Sequence, residues 1–315
     1  MRMLVRHLSY FVTLAREKHF ARAAEACNVA QPTLSAAIRK LEEDLQVPLV
    51  VRGHRFLGLT PEGETVLAWG RQILTDYESL RADLSGLRQG LTGTLRLGVV
   101  PTAMPAVSAL TTRFAAAHPA ATVEIRSMTS RAIRQGVDAF ELDGGLTYLD
   151  GEPLDTVRHI PLYRERYAFA THRGNRHAGR GTMSWAEAVG ERLCLLHEDM
   201  QNRRILNRIA ASAGLSIEAA VVSDSFLGVF SHLMRGEWSS IVPHSFGPMF
   251  GRPADLALID LVEPAVSQLV GLMLSKREPP SPMTQALALA AAKAGFDPDR
   301  AAMGGDEGNN DEAGG

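Results

Sequence analysis

At 315 residues, with 45% hydrophobic and 22% charged residues, the chain has room for two or three domains of ordinary composition. No stretch approaches the roughly 18–20 continuous apolar residues of a membrane span. The opening MRMLVRHLSYF lacks the apolar core and small-residue cleavage site of a secretion signal, so a cytoplasmic protein without a membrane partner is expected. The net charge of −2 hides a division, because residues 1–60 hold nine Lys/Arg against five Asp/Glu and the remainder holds 24 against 30. A basic head on an acidic body suits a duplex-binding module attached to something else.

In chain order, Leu8, Phe11, Val12, Leu14 and Ala15 predict a first amphipathic helix. Residues 20–41, FARAAEACNVAQPTLSAAIRKL, then read as two short helices around a three-residue turn. Ala23, Ala24 and Cys27 share one face of the first. Leu34, Ala37, Ile38 and Leu41 recur at three- and four-residue steps on the second. Small residues at Ala23 and Ala24 allow the close crossing of a helix-turn-helix. Asn28 stands where the turn wants a left-handed backbone, and Pro32 costs no hydrogen bond in the first helical turn. Gln31, Thr33, Ser35, Ala36 and Arg39 then face outward as short or forked polar groups able to read a major groove. An ordinary helical hairpin is the plainer reading, but the upstream helix and the charge division favour DNA. Downstream, VPLVVRGHRFLGLT reads as a wing with Arg52, His54 and Arg55 near its tip.

The run HLSYFVTLAREKHFARAAEACNVAQPTLSAAIRKLEEDLQVPLVVR followed by LTPEGE resembles the LysR-type transcriptional regulators in order and spacing, and weaker signals continue almost to the C-terminus. Two departures stand out: Val50 where a Phe is usual, and Gln46 where a Gly is usual. The resemblance implies a winged helix-turn-helix, a long linker helix and a two-lobed α/β effector domain like the type 2 periplasmic binding proteins. It also implies promoter DNA, a small-molecule effector, RNA polymerase and further copies of the chain, as dimer or more often tetramer, as partners.

From Pro61 to about Gly90, Val66, Trp69, Ile73, Tyr77, Leu80, Leu84, Leu87 and Leu91 keep a period near 3.5, the stripe that one helix offers another. Thr60 caps this helix, and Glu62 and Glu64 sit favourably near its positive end. The spacing leaves parallel and antiparallel pairing open. After Gly90 to Gly93, strand and helix alternate, which predicts parallel βαβ layers. The strands are LRLGVV, TVEIR, GLTYL, RERYAFAT, RLCLL, IEAAVV, SSIVP, ALIDL and QLVGLMLS. The domains expected are a head over 3–60, a linker over 61–90 and an effector domain over 91–296. Lobe I takes about 91–160 and 267–296, lobe II about 161–266, and 297–315 is a Gly- and Asp-rich disordered tail.

Ligands in open α/β sheets bind beyond the carboxyl ends of strands. Those ends carry Thr102, Thr129, Ser130, His197, Asn202, Arg203, Ser225 and Pro243, a set suited to a small carboxylate or similar anion between the lobes. Thr102 and Thr129 match positions where family members place effector-contacting hydroxyls. Ser225 also reads as a helix cap, and Arg203 or Arg204 as surface charge. Cys27 and Cys194 read as packed thiols. No CxxC, HExxH, P-loop or GxSxG pattern occurs, so neither a catalytic residue, a metal nor a cofactor is expected. The segments DMQNRRI and WSSIVPH resemble regulators of one-carbon or small-acid metabolism such as formate oxidation. A solute-binding protein or an enzyme with a DNA-binding head are the rival readings. The expected function is a DNA-binding regulator controlled by a small anionic metabolite.

Overall fold

The computed structural model describes residues 2–51, 56–89, 91–150, 157–251, 253–276 and 279–293. Two compact units divide it near residue 93.

The first unit is helical: α1 (Arg2–Glu17), α2 (Phe20–Ala26), α3 (Gln31–Leu45) and α4 (Pro61–Gln89). Leu8, Phe11 and Leu14 of α1 meet Ala23 and Ala24 of α2 and Leu34, Ile38 and Leu41 of α3 in one buried cluster. Asn28 has φ 52°, the left-handed turn residue its short polar side chain tolerates. Cys27 is the C-cap of α2, half-buried and packed against this core. At the end of α3, Gln46 adopts φ 56°, which explains why glycine is usual there: a Cβ is crowded in this conformation.

A wing follows. Val50 bridges Leu59 in antiparallel register, and Glu42 Oε1 accepts from the amides of Leu49 (2.8 Å) and Val50 (3.2 Å), tying α3 to it. Thr60 caps α4 by accepting from Gly63 N at 2.9 Å. A Cβ at Gly63 would lie 2.1 Å from the Leu49 carbonyl oxygen, so only glycine fits the LTPEGE corner. The predicted wing-tip residues Arg52, His54 and Arg55 lie outside the described residues, as does the predicted tail from 297.

The 29-residue α4 carries two apolar faces. Leu67 is buried against the head, with Val66 and Leu74 packed beside it. Trp69, Ile73, Tyr77, Leu80 and Leu84 are exposed. Val66 therefore belongs to the head's core, not to the open stripe.

The second unit is a mixed sheet flanked by helices, with strands and helices in this order. They are β1 (Gly93–Val99), the short 3-10 turn Pro101–Ala103, α5 (Met104–Ala117), β2 (Ala121–Ser127), α6 (Ser130–Asp138), β3 (Gly144–Tyr148) and β4 (Val157–His172). Then come β5 (Thr182–Ser184), α7 (Trp185–Val189), β6 (Leu193–Leu196), α8 (Gln201–Ser212), β7 (Ala219–Ser223), α9 (Phe226–Leu233) and β8 (Ser239–Pro243). Last are α10 (Phe246–Met249), β9 (Leu256–Val262), β10 (Ser267–Ser275) and α11 (Pro282–Ala292).

The order is β2-β1-β3-β10-β4-β8-β6-β7, with β9 beside β4 and β5 beside β9. Purely parallel layers were expected, and here the structure differs. β1 and β3 are parallel, but β10 runs antiparallel to both β3 and β4, and β4 antiparallel to β8 and β9. The cause is β4 itself, a single 16-residue strand rather than the short segment predicted. Its first part pairs β10 up to Arg166, and from Tyr167 it pairs β8. One strand thus serves both halves of the sheet, and the change of partner falls at Arg166/Tyr167. The short β5, α7 and α10 were not foreseen, because runs this brief carry no usable period.

Candidate functional sites

In the head, the outer face of α3 is open. Gln31, Pro32, Thr33 and Arg39 are exposed and Ser35 is half-buried, whereas Leu34, Ala37, Ile38 and Leu41 between them are buried. The 3.6-residue period divides the helix: apolar steps anchor it, and the intervening polar groups are left for a partner. Among the described residues, no side-chain hydrogen bond or ion pair engages Gln31, Thr33 or Arg39, while Lys40 is paired with Asp44 at 2.9 Å.

In the second unit, three chain reversals meet at a small, largely enclosed cavity. It is lined by Val100, Pro101 and Thr102 after β1, Met128 and Thr129 after β2, Tyr148 at the end of β3, and Leu196, Met200, Gln201 and Asn202 at the β6–α8 turn. It encloses about 10 Å³, scarcely the room that one water molecule needs. Helix starts surround it. Thr129 Oγ1 caps α6 by accepting from Ala132 N at 3.2 Å. α8 begins at Gln201 after Met200, whose side chain offers no capping bond, so the first-turn amides of that helix have no side-chain acceptor there. Among the described residues, no cationic side chain lines the cavity.

Behind the wall lies a buried polar chain. The Tyr148 hydroxyl is 2.6 Å from Glu165 Oε1 and 3.0 Å from Thr102 Oγ1, and Asn202 Nδ2 donates to it at 3.3 Å. Glu165, on β4 just before the change of partner, is wholly buried. Its Oε2 has no hydrogen-bond partner among the described residues. Burial outweighs its bonds to Tyr148 and Thr102 and pushes the carboxyl up to about 8. Burial likewise pushes Tyr148 well up, so that phenol stays protonated.

Of the cleft residues predicted from sequence, Thr102, Thr129 and Asn202 come together here. Ser130 follows Thr129 as the first residue of α6, buried, with its Oγ unpartnered among the described residues. The other four are placed elsewhere. His197 is exposed and pairs with Asp199 at 2.8 Å. Arg203 turns inward, its guanidinium donating to Asn207 Oδ1 at 2.9 Å and to the Leu196 and Ile217 carbonyls. Ser225 caps α9 through Gly228 N at 3.3 Å, and Pro243 ends β8 opposite Tyr167. The sequence reading missed Tyr148 and Glu165. In RERYAFAT the glutamate between two arginines looks like solvated charge, and only strand alternation separates it from its exposed neighbours Arg164 and Arg166.

Cys194 is buried in β6, with its thiol pushed up to about 11 by burial. Among the described residues no group of three or more His, Cys, Asp or Glu could hold a metal, and no helix is long and apolar enough to cross a membrane.

Residues 5–64 match the model of the bacterial regulatory helix-turn-helix proteins of the lysR family, and residues 88–295 match the LysR substrate binding domain. The chain is 29% identical over 197 residues to a hydrogen peroxide-inducible genes activator of Dickeya chrysanthemi, covering 62% of this chain and 64% of that relative. It therefore spans just under two thirds of that protein's length. Among solved structures it is similar to a full-length OxyR variant from Pseudomonas aeruginosa, with a TM-score of 0.71, 23% identity and 92% and 94% of the two chains covered. It is also similar to full-length CbnR complexed with its target DNA, with a TM-score of 0.66, 23% identity and 92% and 99% covered.

Proposed function

Since this chain belongs to the LysR family of DNA-binding transcriptional regulators, we propose that it binds promoter DNA through α3 and that a small ligand in the β1–β2–β6 cavity tunes that binding. One observation carries the DNA half: the outer face of α3, with Gln31, Pro32, Thr33, Ser35 and Arg39, is the polar side of a helix whose other side is core. A groove-reading helix needs this division, because base edges are reached only by side chains the fold has not spent. Arg52, His54 and Arg55 would add backbone or minor-groove contacts from the wing. The exposed stripe Trp69–Leu84 would pair with another copy, as dimer or tetramer, since so much apolar surface is costly to leave in water. RNA polymerase would be the downstream partner, and the cytoplasm the compartment.

The ligand we propose is a small anion. Its support is the ring of helix starts at Thr102, Thr129 and Gln201, which offers amides and hydroxyls and no lone charge to repel it. A cavity of about 10 Å³ means that anything larger than a water molecule would enter only when the two halves of the sheet part around β4. The likeness to a peroxide-inducible activator does not bring a thiol into the site: neither Cys27 nor Cys194 lines the cavity. A reactive cysteine needs an accessible, low-pKa thiolate, so binding rather than thiol oxidation is the proposed signal.

The test is a footprint on the DNA upstream of the chain's own gene, with wild type and Arg39→Ala. Protection by wild type that the variant loses, while its oligomeric state is kept, is the expected result. Equal protection by both would remove α3 from the groove.

A further inference from the structure

The cavity wall ends in hydroxyl groups whose hydrogens are not free to point anywhere. Thr102 Oγ1, Tyr148 Oη and Glu165 form a chain of hydrogen bonds of 3.0 Å and 2.6 Å leading from the cavity to a carboxyl buried at the point where β4 changes partners. Each hydroxyl owns one hydrogen and two acceptor sites. The direction of every bond in the chain is therefore set by the group at its closed end.

We propose that Glu165 is a positioning residue that decides, through Tyr148, whether Thr102 presents a hydrogen-bond donor or an acceptor to the cavity. This rests on the reading of the cavity as the effector site. With Glu165 as the neutral acid, Oε1–H donates to Tyr148, Tyr148 donates to Thr102 Oγ1, and the Thr102 hydrogen is left to donate into the cavity. With Glu165 as a carboxylate, Tyr148 must donate to it. Thr102 then donates back to Tyr148 or to the carboxylate itself, and only its lone pairs face the cavity. Asn202 Nδ2 can donate to Tyr148 in both arrangements, so both are complete. The neutral state suits a carboxylate or carbonyl ligand, and the ionised state suits an ammonium or a hydroxyl hydrogen.

The neighbourhood favours the neutral acid. The groups around Glu165 are Tyr148 from β3 and Tyr163 and Tyr167 from β4 itself, all three phenols pushed well up and so uncharged. Across the strand pair stands Gln268 of β10, and α8 contributes Asn202 through Tyr148. Asp150, beyond the end of β3, acts on Tyr167 and accepts from Leu269 N. Arg164 and Arg166 are exposed at the alternate positions of β4. No cation offsets the carboxylate, and Oε2 has no donor among the described residues. Holding Glu165 neutral in the fold therefore takes one proton from solvent at neutral pH, and an acceptor ligand at Thr102 reinforces that state while a donor ligand opposes it.

The experiment reads both ends of the chain in the full-length protein. Infrared absorption of the neutral carboxyl follows Glu165, assigned by its loss in the isosteric Glu165→Gln. Methyl NMR follows the γ-methyl of Thr102, assigned with Thr102→Val. Between about pH 6 and 10, well above the ordinary carboxyl range, the two signals are expected to move with one midpoint near 8. In Tyr148→Phe the carboxyl is expected to titrate still while the Thr102 response falls to what its direct interaction with Glu165 carries. In Glu165→Gln the Thr102 signal is expected to hold one position throughout. A Glu165 that ionises in the ordinary range, or a Thr102 signal that ignores an ionising Glu165, overturns the inference and leaves the effector site standing. A cavity that binds no small anion overturns the effector reading and leaves this titration intact.

Discussion

The two polar surfaces of this molecule are built on opposite terms. On α3, Gln31, Thr33 and Arg39 stand in solvent and have spent nothing on their own fold. In the cleft, Thr102, Tyr148, Asn202 and Glu165 are buried and bonded to one another. A duplex is large, charged and preformed, so its reader is held rigid from behind and left open in front. The cavity beside the buried set encloses only about 10 Å³, so under the proposed reading a small ligand must displace bonds that the protein already makes to itself. Unspent side chains are thus what the proposed duplex contact requires, and self-satisfied ones beside a small cavity are what the proposed switch requires.

The widest expected contrast between the regions is in pH dependence. Glu165 is raised from the ordinary 4.5 to about 8 in the fold, so the native state binds more protons than the unfolded chain between those values. Its contribution is fully present below about 4.5 and is lost as pH rises through 8. The loss runs at up to about 1.4 kcal/mol per pH unit. Denaturant unfolding of the C-terminal unit should show this slope, and Glu165→Gln should flatten it without changing the head. A slope that persists in the variant would place the titrating group elsewhere.

A steric test of the head comes next. Gly63→Ala puts a methyl onto the Leu49 carbonyl and should destabilise the head by roughly 2–4 kcal/mol, seen as an earlier thermal transition of the helical unit alone. If the transition stays put, the corner is more yielding than its geometry says.

Tyr148→Phe leaves Glu165, Thr102 and Asn202 short of a shared partner, at a cost of about 1–3 kcal/mol. Arg39→Ala should lose a similar amount, about 1–3 kcal/mol, but from operator affinity measured by titration and not from stability. That pairing separates the two regions: the buried polar group matters to folding, the exposed one to binding. Arg39→Ala unfolding early, or Tyr148→Phe unfolding normally, would erase the distinction. The smallest effect is a gain. Gln46→Gly relieves a left-handed residue at φ 56° and should stabilise the head by about 0.5–1 kcal/mol in the same thermal assay.

The head was readable because its determinants are local. Ala23, Ala24, Leu34, Ile38 and Leu41 announce a crossing pair of helices by spacing alone, and Asn28 and Pro32 mark its turn. The long linker helix was equally plain, although its period did not reveal that Val66 packs on the head while Trp69 stays exposed. For the cavity, strand ends pointed to Thr102, Thr129 and Asn202, which the fold brings together because topology gathers strand ends in one place. The same rule also gathered His197, Arg203, Ser225 and Pro243, which belong to the surface, a core bond, a cap and a strand.

What the order of residues determined by itself was the kind of each element and the face it would bury, because periods of two and 3.6 are written in neighbouring positions. What only the folded molecule decided was which strand ends meet. Glu165 and Tyr148 are 17 residues apart, and Asn202 a further 37 beyond Glu165, yet they share one hydrogen-bonded chain. That meeting depends on β4 running unbroken from one half of the sheet to the other, a long-range pairing that no local pattern encodes.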